Sequence, residues 1–136
     1  MIGFFASSFD PFVHPGHIWA MQQAVMAHNL TGIIVGLHED PTIERPETKR
    51  KPALTTEERT VCVAAIRDVV GVRPYNLESE LYAIIKDVQP VLRILGEDYR
   101  GRPYTGDDLG IPVFYATRCP VWSGTEFSRR LLQRLG

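Results

Sequence analysis

Residues 2–28, IGFFASSFDPFVHPGHIWAMQQAVMAH, decide the fold, because they contain a strand, a polar loop and a helix in succession. The apolar run Ile2–Ala6 predicts a short buried strand that stops at a pair of serines. Beyond the loop, apolar residues recur at near-helical spacing from Pro15 to about His28, and a proline suits the first turn of a helix. The chain therefore opens with a strand, loop and helix unit.

The same alternation of apolar runs and helical patterns continues to the end of the chain. It predicts further strands at Gly32–Leu37, Val72–Tyr75, Val91–Leu95 and Pro112–Ala116, and helices at Thr56–Val70, at Leu77–Val88 and from Ser123 onward. Strands that alternate with helices favour right-handed crossovers and a parallel sheet covered on both faces. We therefore predict a single α/β domain over residues 1–136, with a doubly wound, Rossmann-like sheet of five parallel strands.

The composition excludes several classes of protein. Hydrophobic residues make up 44% of the 136 residues and charged residues 23%, which is typical of a folded domain and not of a disordered chain. A net charge of -1 gives no overall field that favours nucleic acid or an anionic membrane. The first residues lack the basic region of a secretory signal, and no apolar run is long enough to span a bilayer. We expect a cytoplasmic protein without nucleic-acid or membrane partners.

The two cysteines, Cys62 and Cys119, lie far apart in the sequence, with no CxxC pair and no adjacent histidine. This spacing fits neither a zinc site nor a disulfide framework. We predict that both cysteines are buried as small apolar side chains.

The loop after the first predicted strand is the first candidate site, because doubly wound sheets bind ligands at the carboxyl ends of their strands. This loop, SSFDPFVHPGH at residues 7–17, carries His14 and His17 beside Gly16. Two imidazoles next to the free N–H groups of a helix N-terminus favour an anion, and a triphosphate suits such a pocket. The alternative is that His14 is an exposed loop residue and His17 a capped residue in the first turn of the helix. No metal site is predicted, because the sequence offers no third ligand.

The loop after the second predicted strand, PTIERPETKRKP at residues 41–52, is a local basic patch that includes Lys49 and Lys51. A capping box at Thr55 and Glu58 then begins the next helix. Arg59 falls in the first turn of that helix, where a cation opposes the helix dipole by roughly 0.3–1 kcal/mol. A cation in this unfavourable place suggests a bound anion, whereas the alternative for the loop is a solvated, mobile segment.

Two more segments follow the fourth and fifth predicted strands. GEDYRG, at residues 96–101, is a turn bounded by glycines. In RCPVWSGTE, at residues 118–126, Ser123 with Glu126 predicts a second capping box, and Trp122 with Phe127 predicts a hydrophobic staple. A structural cap accounts for these four residues but leaves Arg118 unexplained.

Together these four segments resemble the HxGH nucleotidyltransferase superfamily, which includes cytidylyltransferases and adenylyltransferases, and most of all the glycerol-3-phosphate cytidylyltransferase-like proteins. HPGH at residues 14–17 resembles the superfamily signature. Lys49, Lys51 and Arg59 match its lysine pair and the following arginine, residues 96–101 resemble its G-x-D-x-x-G, and residues 118–126 resemble its RTxxISTT stretch. The resemblance covers nearly the whole chain.

The chain departs from the superfamily pattern at four places. Ser7 stands where a glycine is usual, and one extra residue separates Asp10 from His14. Gly124 replaces a hydroxyl residue. Ser128 stands where the adenylyltransferase form, ISSTxIR, carries an arginine, and Arg129 lies one residue further on.

The resemblance implies a set of site residues. The residues implied to be catalytic are His14, His17, Lys51 and Arg118. The residues implied to bind the nucleotide are Ser8, Phe9, Asp10, Gly16, Lys49, Arg59, Gly96, Asp98, Ser123, Gly124 and Thr125. No residue is implied to bind a metal directly.

The resemblance also implies a reaction, in which CMP passes from CTP to a small phosphate-bearing acceptor such as glycerol 3-phosphate and pyrophosphate leaves. Mg²⁺ is expected to bridge the triphosphate, and the protein is expected to form a homodimer. Two alternatives stay open. One is an adenylyltransferase that uses ATP, and the other is a regulatory module that binds nucleotide without catalysis.

Overall fold

A computed structural model describes residues 1–119 and 121–136. Five strands alternate with four helices along this part of the chain. The strands are β1 Ile2–Ser7, β2 Gly32–His38, β3 Val69–Tyr75, β4 Leu92–Gly96 and β5 Val113–Ala116. The helices are α1 Pro15–His28, α2 Thr56–Ala64, α3 Glu78–Val88 and α4 Gly124–Leu135. This order confirms the predicted α/β fold.

The strands form one parallel sheet in the order β3-β2-β1-β4-β5. The chain runs outward from β1 in one direction to β3, and then crosses back so that β4 pairs with the other side of β1. The carboxyl ends of β1 and β4 therefore flank the point where the winding direction changes. In open α/β sheets this point is where ligands bind.

Helices cover both faces of the sheet, as the sequence predicts, and an apolar core lies on each face. On one face the buried side chains of α1 and α2 pack against those of the sheet, and they include Phe5, Met21, Ala24, Ile33 and Val63. On the other face α3 packs through a second set that includes Phe4, Leu81, Ile84 and Ile85. Because neighbouring residues of a strand point to opposite faces, Phe4 and Phe5 serve the two cores separately.

The boundary between α2 and β3 differs from the prediction, which continued the helix to Val70 and started the strand at Val72. The helix ends at Ala64, and β3 begins at Val69. Val69 is paired with Ile33 of the central sheet. Pairing with β2 therefore makes this β-branched segment a strand, although the spacing of its apolar residues also fits a helix.

Two smaller predictions are wrong. Cys62 is exposed and Cys119 is only partly buried, so neither lies in the cores. At the start of α4 the Ser123 hydroxyl accepts from the Glu126 N–H at 3.1 Å, which is half of a capping box. The Glu126 carboxylate pairs with Arg129 and Arg130 instead of returning to the cap.

Arg59 holds the loops after β1 and β2 together from inside the protein, with 2% of its surface exposed. Its Nη1 donates to the carbonyls of Ser8 and His38, both at 2.8 Å, and its Nη2 donates to the Glu39 carbonyl at 2.7 Å. Its Nε donates to the Leu54 carbonyl at 3.1 Å. One guanidinium therefore fixes the positions of the segments that lead into the carboxyl edge of the sheet.

We expect Arg59→Lys to destabilise the fold, because a lysine ammonium cannot reproduce the planar fork of donors. Buried carbonyls left without donors cost about 1–3 kcal/mol each, so the free energy of unfolding should fall by at least about 2 kcal/mol. Urea denaturation measures this change. Arg67→Lys, on an exposed side chain, is the control and should stay within about 0.5 kcal/mol of the wild type. Equal stability of the two variants would contradict this account of Arg59.

Candidate active site

A cavity of about 760 Å³ opens at the carboxyl edge of the sheet, over the ends of β1 and β4. Its walls come from the loop after β1, the loop after β2, the start of α3, the segment between β4 and β5, and the residues that lead into α4. Four different crossovers thus contribute to a single concave site. This is the arrangement of a ligand site in a doubly wound fold.

His14 and His17 form an interlocked pair at the start of α1. The Nδ1 of His14 accepts from the Gly16 N–H at 3.0 Å, and the Nδ1 of His17 accepts from the His14 N–H at 3.2 Å. The two rings stack with their centroids 3.8 Å apart. Both Nδ1 atoms are therefore acceptors, so each neutral ring carries its proton on Nε2.

The pair is neutral at physiological pH. Burial, and to a smaller extent the neighbouring His14 ring, together lower the pKa of His17 to about 3. Burial also lowers the pKa of His14, against the opposing effect of Asp10. Both rings line the cavity, so the site offers two N–H donors to an anion without the desolvation cost of two buried charges.

The loop after β1 and the start of α4 cross closely, and a glycine stands at each crossing point. A Cβ on Gly16 would lie 2.2 Å from the Trp122 carbonyl oxygen, and one on Gly124 would lie 2.5 Å from the Asp10 carbonyl oxygen. Neither position leaves space for a side chain. Gly124 therefore replaces the hydroxyl residue of the superfamily for a steric reason.

The three cations at the end of the basic loop after β2 have different surroundings. Lys49 lines the cavity. Lys51 lies outside it with its ammonium 3.7 Å from the Asp40 carboxylate and with 76% of its side chain exposed. Arg50, between them, donates from Nε to the Asp10 carboxylate at 2.8 Å.

Arg50 also reaches α4. Its Nη2 donates to the Ser128 hydroxyl at 2.9 Å. Ser128 is the position at which the adenylyltransferase motif carries an arginine, and neither Arg50 nor Ser128 lines the cavity. Arg129 does not take that role, because it pairs with Glu126.

Residues after β4 and β5 complete the wall on the far side of the cavity. Gly96, Asp98 and Arg118 all line it. The Arg118 guanidinium lies 3.8 Å from the Asp98 carboxylate, and the Arg118 N–H donates to Glu97. Pro120, within the same stretch, lies outside the described residues.

Most of the predicted site residues come together here. The cavity is lined by Ser8, Asp10, His14, Gly16, His17, Lys49, Gly96, Asp98, Arg118, Ser123 and Gly124. Phe9, Lys51, Arg59 and Thr125 do not line it. Phe9 is buried behind His17, with the ring centroids 4.7 Å apart. For Arg59, the expected phosphate contact is corrected, since its donors are bound to carbonyls of the chain itself.

The sequence analysis missed the compartment of the cavity next to α3. This compartment is lined by Arg45, Tyr75, Glu78, Arg93, Tyr104 and Thr105. Arg93 carried a usable signal, because a charged residue in the middle of a buried strand is unusual. The other residues lie on loops or strand ends, where polar residues are ordinary.

Within residues 1–119 and 121–136, no group of three histidine, cysteine, aspartate or glutamate side chains could hold a metal ion. One carboxylate oxygen of the cavity, Asp10 Oδ1, is nonetheless buried and has no hydrogen-bond partner within that part of the chain. No helix among the described residues has the length and apolarity that a bilayer crossing requires.

Residues 4–108 match the family described as cytidylyltransferase-like, and this match includes the loops after β1, β2 and β4. The chain belongs to this family. The resemblance to the nucleotidyltransferase superfamily is therefore confirmed, and the match includes three of the four segments, since residues 118–126 lie beyond it.

Two curated relatives show how the family domain is used elsewhere. The chain is 29% identical over 97 residues to the "Bifunctional protein HldE" of Wolinella succinogenes, covering 71% of this chain and 20% of that protein. It is 34% identical over 91 residues to the "FAD synthase" of Methanohalophilus mahii, covering 67% of this chain and 59% of that protein. The matches thus span about a fifth of HldE and over half of FAD synthase.

A solved structure confirms the fold independently. The lipopolysaccharide core biosynthesis protein from Thermoplasma volcanium superposes with a TM-score of 0.64 at 17% identity. The superposition covers 88% of this chain and 96% of that protein. At this identity the likeness shows the shared fold and no more.

We expect the His17 ring to make the protein sensitive to acid. Its folded-state pKa lies below the ordinary value of about 6.5, so the unfolded state takes up a proton first as the pH falls. Its contribution to stability is complete above about pH 6.5 and declines toward pH 3, by about 1.4 kcal/mol per pH unit. His17→Gln, which keeps an acceptor for the His14 N–H, should weaken this decline.

Urea denaturation between pH 7.5 and pH 5 tests that prediction. At pH 7.5 His17→Gln should be close to the wild type, because glutamine is an ordinary residue at the third position of a capping box. His28→Gln, on an exposed ring at the other end of α1, is the matched control with the wild-type pH profile. If the stability of His17→Gln depends on pH as that of the wild type does, the acid sensitivity does not come from His17.

We expect Gly124→Ala to separate the two crossing segments. Its Cβ would meet the Asp10 carbonyl oxygen at 2.5 Å, and such overpacking costs about 1–3 kcal/mol. Gly71→Ala in β3 is the control, since the nearest atom to its Cβ is 3.7 Å away. Thermal melting should show a lower Tm for Gly124→Ala and no loss for Gly71→Ala. No loss in either variant would mean that the crossing tolerates a side chain.

Proposed function

We propose that the protein is a nucleotidyltransferase in which a phosphate oxygen of an acceptor attacks the α-phosphorus of a nucleoside triphosphate. The new phosphoanhydride bond forms as the bond to pyrophosphate breaks. The observation that carries this proposal is the interlocked pair His14 and His17, with two Nε2–H donors at the cavity where the sheet changes its winding direction. Membership of the cytidylyltransferase-like family supports it.

The reaction needs positioned donors rather than a protein nucleophile or base. The attacking phosphate is already ionised at neutral pH, so no group has to remove a proton from it. Catalysis of such a transfer comes from alignment and from donors aimed at the charge that develops on the phosphate oxygens. His14 and His17 are assigned to the oxygens of the α- and β-phosphates.

Other cavity groups bind the rest of the triphosphate and the attacking phosphate. Lys49 is assigned to the acceptor phosphate and the α-phosphate. Arg118 and the first-turn N–H groups of α4, beginning at Gly124, are assigned to the β- and γ-phosphates, since a helix N-terminus favours an anion. Lys51 would reach the site only if it left Asp40.

Mg²⁺ is proposed to enter with the triphosphate, because this ion keeps several waters and uses only one or two carboxylates besides phosphate oxygens. Asp10 fits that requirement. Its Oδ1 is buried and unpartnered in the described part of the chain, while its Oδ2 accepts from Arg50. The ion would neutralise charge on the triphosphate.

For the nucleotide, we propose ATP. Arg50, beside the cavity-lining Lys49, donates to the hydroxyl of Ser128, the position of the arginine in the adenylyltransferase motif, although neither Arg50 nor Ser128 lines the cavity itself. The relative named FAD synthase supports this choice, since FAD contains an adenylyl group. CTP is the second candidate, favoured by the family description and by the resemblance of Lys49, Lys51 and the stretch that begins at Arg118 to cytidylyltransferases.

For the acceptor we propose a small molecule with a phosphate, and the relatives' names give glycerol 3-phosphate no support.

Calorimetric titration of the four nucleoside triphosphates in the presence of Mg²⁺ tests the nucleotide. We expect ATP to bind most tightly. Arg50→Met should reduce the affinity for ATP, because Arg50 contacts Asp10 and Ser128. Arg67→Met, on an exposed side chain between α2 and β3, should not. A clear preference for CTP would assign the protein to the cytidylyl branch. Sedimentation of the same samples tests the homodimer, which is a separate proposal.

Pyrophosphate release with phosphate-bearing acceptors tests the reaction itself. His17→Gln keeps the capping contact, so it should retain nucleotide binding while turnover falls by about 10²–10³, the usual loss for one positioned donor. If the wild type binds nucleotide but releases no pyrophosphate with any acceptor, the regulatory alternative replaces this proposal.

A further inference from the structure

Arg93 lies on β4 at the floor of the compartment next to α3, with 3% of its surface exposed. It is paired in register with Phe4 of β1 and with Val113 of β5. A central strand of a parallel sheet is covered on both faces and normally carries apolar residues. A cation at this place therefore calls for a partner.

Within the described residues, Arg93 has no carboxylate partner at salt-bridge distance. Its Nη1 donates to the Thr105 carbonyl at 2.6 Å, and its Nε is buried without a hydrogen-bond acceptor. The Phe4 and Tyr104 rings lie 5.7 and 5.4 Å from its Cζ, which offsets part of the cost of burying the charge. A buried cation normally requires an anion as well.

Glu78, the acidic side chain of the compartment, is hydrogen-bonded elsewhere. Its Oε2 accepts from the Thr105 hydroxyl at 2.6 Å, and its Oε1 lies 4.0 Å from Arg45. Glu78 thus holds Thr105, whose carbonyl in turn positions Arg93. The arrangement orients the guanidinium and leaves it without a directly paired carboxylate among the described residues, although the charge of Glu78 acts on it from a distance.

Arg93 is also remote from the reacting phosphates. Its strand partner Phe4 precedes Ser7, the last residue of β1, by three residues, which is about 10 Å along a strand. The histidine pair belongs to the loop beyond Ser7. An anion bound at Arg93 is therefore a different group from the acceptor phosphate that attacks near His14 and His17.

We propose that Arg93 binds a second anionic group of the acceptor, either a carboxylate or a phosphate. This inference rests on the proposed function, since it makes the α3 compartment the acceptor subsite. The acceptor is then a small molecule with two anionic groups, one that attacks and one that anchors. A planar guanidinium suits both kinds of anion, because it can bind either through paired hydrogen bonds.

Two matched pairs of compounds test the proposal by calorimetry, with a non-hydrolysable ATP analogue and Mg²⁺ present. 3-Phosphoglycerate and glycerol 3-phosphate differ by a carboxylate in place of a hydroxymethyl group. Glucose 1,6-bisphosphate and glucose 1-phosphate differ by a second phosphate. We expect the doubly anionic member of at least one pair to bind at least tenfold more tightly than its partner. A difference in the first pair indicates a carboxylate anchor, and a difference in the second pair indicates a phosphate anchor.

Arg93→Met should abolish this preference and leave the affinity for the nucleotide unchanged. Lys49→Met is the matched comparison, since it should weaken both members of a pair equally. Arg93→Lys, which keeps the charge, should retain part of the preference and serves if Arg93→Met does not fold. If neither pair separates in the wild type, or if the preference survives Arg93→Met, the proposal is wrong.

The outcome is distinguishable from a failure of the proposed function. If the wild type shows no preference within either pair but still releases pyrophosphate, the role of Arg93 alone is overturned. An Arg93-dependent preference in a protein that releases no pyrophosphate would keep the anion site and overturn the reaction.

Discussion

The whole site depends on one buried guanidinium. Every N–H of Arg59 points to an acceptor of the chain, and these acceptors belong to the loop after β1, the end of β2 and the start of α2. Loops at a sheet edge leave carbonyls without partners, and unpaired buried carbonyls are costly. Arg59 satisfies several of them at once, so the loops that carry His14 and Lys49 have a fixed common support. The cation that the sequence analysis assigned to a bound anion is instead bound by carbonyls inside the protein.

The start of α1 combines a structural and a chemical task in the same two side chains. Serine or aspartate at the cap, with glutamine three residues later, would satisfy the same backbone N–H groups. Histidine does this with Nδ1 and has a second nitrogen, Nε2, left for the cavity. Because the folding contact fixes the tautomer, the donor at Nε2 is set before any ligand arrives. The low pKa of His17 keeps that donor uncharged.

The sequence predicted the fold well because periodicity and turn residues are local signals, and each strand and helix except the α2 to β3 segment follows them. It predicted the site less completely, because a charged side chain is available to a ligand only if other groups of the same chain do not already bind it. Spacing indicates a cation at Arg59, but the carbonyls that bind it come from three separate segments. Similarly, nothing local to Lys49 and Lys51 tells that only the first lines the cavity. Arg93 was visible as an anomaly, and only the packing around it reveals the missing counterion.

Three of the four departures from the superfamily pattern, which are the extra residue before His14, Gly124 and Ser128, are connected through Asp10 and Arg50. The longer loop after β1 brings the Asp10 carbonyl to 2.5 Å from where a Cβ on residue 124 would lie, so that residue must be glycine. The same loop presents the Asp10 carboxylate to Arg50, and Arg50 donates to the Ser128 hydroxyl. Each change thus accommodates another. Independent loss of function would leave unpaired or clashing groups at these positions, whereas here the glycine and the Arg50 bridge resolve the contacts that the extra residue creates.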